Sequence, residues 1–239
     1  MPSLAERLAL LRARMRAAEA RGGRPSESCS LLAVSKGVSA ERIAELIDAG
    51  QLAFGENRVQ ELEEKRAAVA ALRPDAEIRW ELIGPLQSNK LRRAMAAAHR
   101  IDSVDRMELL LKIADASKVM RGPISVALQV NTDADPAKAG FAPEELRAVL
   151  PEVARQLKGA NLEIDGLMTI GRLTEEAAES RLSAATFTSF ASTFRVEAAA
   201  YGLNIGPLLS AGMSGDFEIA IEEGATQVRL GSALFGSRS

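Results

Sequence analysis

Apolar residues follow two alternating patterns along the chain. Short apolar runs bounded by polar residues are typical of buried strands, whereas apolar residues every three or four positions are typical of amphipathic helices. Eight runs of the first kind predict strands at 30–35, 52–54, 78–83, 100–104, 124–130, 162–168, 205–209 and 226–230. Segments of the second kind predict helices at 40–49, 58–72, 88–98, 106–119, 143–157, 175–200 and 217–222.

This alternation predicts the architecture. Strands that alternate with helices form a parallel sheet, and eight of them suggest a closed (β/α)8 barrel, here a single domain over 1–239. A doubly wound open sheet is the main alternative, although no G-x-G-x-x-G follows the first strand, which weakens its dinucleotide-binding version. Residues 1–23 carry Leu4, Leu8, Leu11 and Met15 at helical spacing, so we expect an additional amphipathic helix that packs on the barrel.

Composition narrows the function classes. The 239 residues are 47% apolar and carry 30 Lys and Arg against 32 Asp and Glu, so no basic excess indicates nucleic-acid binding. No apolar run approaches the roughly 18 residues of a membrane span. One cysteine excludes an intramolecular disulfide framework and fits a reducing compartment, so we expect a cytoplasmic protein. The single histidine excludes a His-rich metal site and disfavours a Ser-His-Asp triad.

Lys36 is the most informative candidate residue, because active sites of such barrels lie at the carboxyl ends of the strands. It directly follows the first predicted strand, in a chain with seven lysines and 23 arginines. A partly desolvated lysine amine can attack an aldehyde to form a Schiff base, and an arginine cannot. Spacing alone favours the alternative of a salt-bridged lysine at a strand end.

The loops after the seventh and eighth strands are the second candidate feature. Ser214, Gly231 and Ser232 lie there, where barrels recurrently bind phosphate through backbone N–H groups and hydroxyls. We also expect Ser214 to be the N-cap of the helix at 217–222. Ordinary turn and cap chemistry would explain the same residues.

Three other polar residues lie inside or just after predicted strands. Arg229 interrupts an apolar strand, so it either points into the barrel, towards a carboxylate or a heterocycle nitrogen, or outward towards a helix acid. Asn57 and Asn131 could bind a ligand hydroxyl or stabilise turns. Four further residues are predicted to be structural: Cys29, Trp80, His99 and Tyr201.

Several motifs, in order along the chain, resemble those of one family. They are Leu-Ala-Val-Ser-Lys at 32–36, Phe-Gly-Glu-Asn-Arg-Val-Gln-Glu at 54–61, Ile-Gly-Pro-Leu-Gln-Ser-Asn-Lys at 83–90, Gly-Leu-Met-Thr-Ile at 166–170 and Val-Arg-Leu-Gly-Ser-Ala-Leu-Phe-Gly at 228–236. Together they are specific and cover nearly the whole chain. The sequence resembles the YggS/PROSC family of pyridoxal 5'-phosphate (PLP) binding proteins, also called PLP homeostasis proteins.

The resemblance implies a fold and a cofactor site. It implies a single barrel similar to the N-terminal domain of bacterial alanine racemase, with Lys36 carrying PLP as a Schiff base. Ser214, Gly231 and Ser232 match phosphate-binding positions, and Ser210 is expected to assist them. Arg229 matches an arginine that faces the pyridine nitrogen, and Asn57 a residue near the cofactor ring. Glu81 stands where many relatives have histidine, and the sequence leaves its effect open.

The implied function is to hold, buffer or deliver PLP, without robust catalysis. An arginine donates to an unprotonated pyridine nitrogen, which makes PLP a weaker electron sink. We expect the protein to be a monomer. Its expected partners are PLP and apo forms of PLP-dependent enzymes, and we expect it to bind neither nucleic acid nor membranes. A weak PLP-dependent amino-acid racemase, or a PLP-independent barrel enzyme acting on a phosphorylated sugar or indole substrate, are the alternatives.

Overall fold

Eight parallel strands close into a barrel in the computed structural model, which describes residues 2–172 and 174–236. Each strand pairs with the next one along the chain, and the eighth pairs with the first. This confirms the predicted (β/α)8 barrel and excludes the open sheet. The strands are β1 (Ser30–Val34), β2 (Ala53–Glu56), β3 (Arg79–Leu82), β4 (Arg100–Val104), β5 (Ile124–Gln129), β6 (Leu162–Met168), β7 (Ile205–Ser210) and β8 (Gln227–Leu230).

Helices surround the barrel on the outside. They are α1 (Leu4–Arg21), α2 (Ala40–Asp48), α3 (Val59–Leu72), α4 (Leu91–Ala97), α5 (Met107–Ser117), α6 (Pro143–Ala148), α7 (Leu150–Gln156), α8 (Ala177–Ala200), α9 (Phe217–Glu222) and α10 (Ser232–Phe235). The prediction of one helix over 143–157 is wrong, because the chain breaks at Val149 into α6 and α7. Pro151, in the first turn of α7, has no N–H with which to continue the preceding helix.

The N-terminal helix α1 begins at a capping box, in which the side chain of Ser3 accepts from the N–H of Glu6 and the Glu6 carboxylate accepts from that of Ser3. Its apolar side is buried, as the spacing of Leu4, Leu8, Leu11 and Met15 predicts. Ion pairs link its polar side to α9, one of them between Arg14 and Glu218 at 2.6 Å. The helix is therefore part of the barrel's outer layer.

The amino-terminal end of the barrel interior holds a buried network of charges. The guanidinium of Arg100 donates to Glu81 at 2.7 Å and to Asp102 at 2.6 Å, and it also donates to the side-chain oxygen of Gln227 at 2.8 Å. The half-exposed Arg79 pairs with the other oxygen of Glu81 at 2.8 Å. Glu81 is therefore part of a network of ion pairs at the end of the barrel opposite Lys36.

This network gives stability an unusual pH dependence. Burial is the main cause that raises the pKa of Glu81 from its ordinary value of 4.5 to about 7, and the negative charge of Asp102 is the second cause. Between these values the folded protein binds more protons at this group than the unfolded chain does. Its contribution to stability therefore falls as the pH rises through that window. Because glutamine does not ionise, we expect Glu81→Gln to gain stability relative to the wild type as the pH rises.

The measurement is the free energy of unfolding in urea at about pH 5, 6 and 7, for both proteins. Glu63→Gln is the matched control, because hydrogen bonding to Arg93 lowers the pKa of Glu63 and leaves this group ionised across the whole window. A wild-type minus Glu81→Gln difference that stays constant over this pH range would contradict the prediction.

Candidate functional site

A cavity of about 390 Å³ lies at the carboxyl ends of the strands. Its size is within the range of small-molecule sites, about 300–1,000 Å³. Its lining combines an apolar wall with two charged side chains and a set of glycines and serines. The lining residues are Val34, Lys36, Val38, Asn57, Ile83, Met168, Ile170, Met213, Ser214, Gly215, Arg229, Gly231, Ser232, Phe235 and Gly236.

Lys36 lies in the turn that follows β1, is half-buried and lines this cavity. The ion pairs found among the described residues do not include it, so the alternative of a salt-bridged lysine is not supported. The nearby carboxylates of Glu56 and Glu61 form ion pairs with another lysine, Lys65 of α3. Lys36 therefore lines the cavity without an ion-pair partner among the described residues.

Arg229 points into the barrel, which settles the alternative that the sequence left open. Its guanidinium donates to the hydroxyl of Ser210 at 2.9 Å and to the carbonyl of Thr169 at 2.7 Å. Burial lowers the pKa of Arg229, although a guanidinium stays protonated in proteins. Ser210 is fully buried and is not among the residues that line the cavity, so its observed contact orients Arg229.

The two glycine- and serine-rich loops meet at one side of the cavity. The hydroxyl of Ser214 accepts from the N–H of Ala233 in α10 at 3.2 Å, which joins the loop after β7 to the one after β8. The prediction that Ser214 is the N-cap of the helix at 217–222 is therefore wrong. The N-cap of α9 is Asp216, and its carboxylate turns back to accept from the N–H of Met213.

Asn57 and Asn131 have different surroundings. Asn57 lines the cavity, where its backbone packs directly against Gly84 in the loop after β3. The side chain of Asn131 donates to the carbonyls of Asp135 and Lys138 and accepts from the N–H of Asp135. Asn131 therefore has the turn role, which was one of its two predicted roles.

The apolar wall of the cavity was not predicted from the sequence. Part of this wall is formed by Ile83, Met168 and Ile170. Nothing in the sequence distinguishes these three residues from residues of the core. Met168 and Ile170 could have been identified by their positions at and just after the end of the sixth predicted strand. The Thr169 carbonyl that binds Arg229 carries no such signal, because every residue has a backbone carbonyl.

A larger cavity, of about 1150 Å³, lies at the opposite end of the barrel. Four of its charged side chains form ion pairs with one another: Glu81 contacts both Arg79 and Arg100, and Arg100 also lies 3.4 Å from Asp165. Its lining contains Lys158 but neither Lys36 nor the glycine- and serine-rich loops that follow β7 and β8, so the smaller cavity is the better candidate site.

The four residues predicted to be structural lie away from the candidate site. The backbone N–H of Trp80 donates to the Nδ1 of His99 at 3.0 Å, and the Trp80 side chain is buried. Tyr201 lines the cavity at the opposite end. Burial raises the pKa of the Cys29 thiol to about 12, so it stays protonated.

The described residues offer neither a metal-binding cluster nor a membrane-spanning helix. Among residues 2–172 and 174–236, no group of three or more His, Cys, Asp or Glu side chains could hold a metal ion. Within those limits, too, no helix combines the length and the apolar character that crossing a membrane requires.

Comparison with known proteins agrees with this geometry. The family model for the alanine racemase N-terminal domain matches residues 7–239. The fold and the site therefore define a barrel of the alanine racemase N-terminal domain class. A protein of Pseudomonas aeruginosa named pyridoxal phosphate homeostasis protein is 41% identical over 239 residues, covering 100% of this chain and 97% of that one. One of the same name from Escherichia coli K12 is 35% identical, covering 100% and 98%. The chain belongs to the family of pyridoxal phosphate homeostasis proteins.

Solved structures give the same result. PipY of Synechococcus elongatus, in the structure with PLP bound, has a TM-score of 0.84 and 38% identity, covering 98% of this chain and 100% of that one. Alanine racemase of Clostridium difficile has a TM-score of 0.70 at 17% identity, covering 95% of this chain and 56% of that one. The second likeness concerns the fold alone.

Proposed function

We propose that this protein binds pyridoxal 5'-phosphate on Lys36 and serves PLP homeostasis by holding the cofactor and delivering it to other proteins. The observation that carries the proposal is the content of one cavity. It brings together a lysine amine, a buried guanidinium and two loops rich in glycine and serine. The names of the relatives and the PLP-bound PipY structure support it.

Each group of the cavity matches one part of the cofactor. When bound, PLP supplies an aldehyde carbon, a phosphate and a pyridine nitrogen. In our proposal Lys36 provides the amine that bonds to the aldehyde carbon, and its neutral form is the nucleophile. Ser214, Gly231 and Ser232 bind the phosphate through a hydroxyl or backbone N–H groups. Arg229, held by Ser210, donates a hydrogen bond to the pyridine nitrogen.

The same cavity favours a carrier over an enzyme. Among its described lining residues, Lys36 and Arg229 are the titratable ones. A two-base racemase needs a second acid or base on the other face of the ring, and the lining offers none there. An arginine at the pyridine nitrogen keeps that nitrogen unprotonated and weakens the cofactor as an electron sink. These features support storage of PLP rather than its use in turnover.

Delivery is the remaining part of the proposal. Ser232 and Gly215, which line the cavity, are exposed at the protein surface. Within the described residues, no second domain therefore covers the opening of the cavity to solvent. We propose apo forms of PLP-dependent enzymes as recipients and a monomer as the delivering form, since the one barrel supplies every group named above.

The test of binding is reduction with borohydride after PLP has been added, followed by peptide mapping by mass spectrometry. Borohydride converts an imine into a stable secondary amine, so the label reports the lysine that carries the cofactor. We expect a pyridoxyl-phosphate adduct on Lys36. No adduct, or labels scattered over exposed lysines such as Lys112 and Lys118, would overturn the proposal.

A further inference from the structure

Helix α3 contacts the turn that carries Lys36 from the outer side of the barrel. The ammonium of Lys65 donates to the carbonyl oxygen of Ser35 at 2.5 Å, and the carboxylate of Glu61 accepts from the N–H of Gly37 at 2.6 Å. These two backbone groups belong to the peptide units immediately before and after Lys36. Both peptide units are thus bound by side chains one helical turn apart on the same helix.

Ion pairs hold those two side chains in place. Lys65 also donates to Glu61 at 2.6 Å and to Glu56 at 2.8 Å, so its three N–H donors are all used. The hydroxyl of Ser35 donates to the same oxygen of Glu56 at 2.6 Å. We call Ser35, Glu56, Glu61 and Lys65 the α3 clamp.

The clamp is built from buried charges, which the fold alone does not require. Glu56 is fully buried, its second carboxylate oxygen has no hydrogen-bond partner among the described residues, and burial raises its pKa. Lys65 is 9% exposed. Burying ions is costly, and apolar side chains often replace buried pairs without loss of stability. An apolar contact could attach α3 to the barrel, but it could not bind the two peptide units around Lys36.

We propose that the α3 clamp positions Lys36 and thereby slows the departure of PLP, with Glu61 and Lys65 as positioning residues. This inference rests on the proposed function. A lysine side chain has four rotatable bonds, so a defined position of its amine requires that its backbone be fixed. A loosened backbone spreads the amine over more positions and lowers its effective concentration at the bound aldehyde. The covalent bond then re-forms less often after each hydrolysis, and the cofactor leaves sooner.

The test compares release rates among variants of α3. Each protein is loaded with PLP and mixed with an excess of an apo-aminotransferase, and the gain of aminotransferase activity reports release. We expect Glu61→Ala and Lys65→Met to release PLP about tenfold faster than the wild type. Glu61→Gln keeps an oxygen that accepts from Gly37, so it should stay close to the wild-type rate. Lys112→Met is the control, because Lys112 and Glu108 form an exposed pair of the same spacing on α5.

Two further measurements separate the possible failures. Borohydride mapping of the same samples should place the adduct on Lys36 in every variant, and a wild type without that adduct would overturn the proposed function and this inference together. A wild type labelled on Lys36, with Glu61→Ala releasing PLP at the wild-type rate, would overturn the clamp alone. Thermal melting without PLP identifies a merely structural role, which would lower Tm and leave the release rate unchanged. Should Lys65→Met fail to fold, the Glu61→Ala and Glu61→Gln pair decides the question.

Discussion

Replacing Lys36 by alanine is expected to abolish the covalent attachment of PLP in the cavity. The substitution removes the amine that the cavity presents to an aldehyde, and the lining offers no second amine among the described residues. Under the proposed function, cofactor retained by the variant would be held by Ser214, Gly231, Ser232 and Arg229 alone. The measurement is the absorption of the imine after PLP is added, followed by borohydride reduction and peptide mapping.

Lys112→Ala, which alters an exposed lysine on α5, is the control and should keep the wild-type adduct. A comparison of the wild type with Lys36→Ala also tests whether the protein is a carrier or an enzyme. We expect no racemisation of amino acids above background in the wild type. Clear turnover that is lost in Lys36→Ala would replace the carrier by a PLP-dependent racemase. An undiminished imine signal mapped to the cavity of the Lys36→Ala protein would contradict the role of Lys36.

Replacing Gly84 by alanine is expected to lower the free energy of unfolding by about 3 kcal/mol, as overpacking of a close backbone contact does. A Cβ at this position would lie 2.2 Å from the carbonyl oxygen of Asn57 and 2.7 Å from its Cα. Both are backbone atoms, so no side-chain rotation relieves the clash. The hydroxyl of Ser103 donates to the Gly84 carbonyl at 2.6 Å and holds the loop in place. The strain therefore falls on Asn57 and distorts the wall of the cavity.

Urea denaturation of the two proteins measures this effect, and PLP titration should show weaker binding by the variant. Gly122→Ala is the matched control, since a Cβ there meets nothing within 4 Å and the backbone is not left-handed. We expect it to leave stability within about 1 kcal/mol of the wild type. Equal stability of the Gly84→Ala and Gly122→Ala proteins would show that the Asn57 and Gly84 backbones move apart freely.

The architecture follows from local patterns. Strand and helix periods differ, so the order of the elements can be read without knowing which residues meet, and eight alternations favour a closed barrel. The positions of Lys36, Ser214, Gly231 and Ser232 follow too, because the carboxyl ends of all strands meet at one face. Boundaries were less accurate. Gly55 and Glu56 were expected after the second strand but belong to β2, and the helix at 143–157 proved to be two.

The partners of the polar side chains were decided by the tertiary structure alone. Period and spacing left Arg229 free to point either way, and only the packed barrel places it against Ser210. They assigned Ser214 to the wrong helix, because its partner Ala233 lies nineteen residues further along the chain. They gave no sign that Lys65 reaches the Ser35 carbonyl. Hydrophobic periodicity reports which side of an element faces the core, whereas a hydrogen bond requires two atoms about 3 Å apart. That distance is set by how the strands and helices pack, and distant segments of the chain meet only once the barrel has closed.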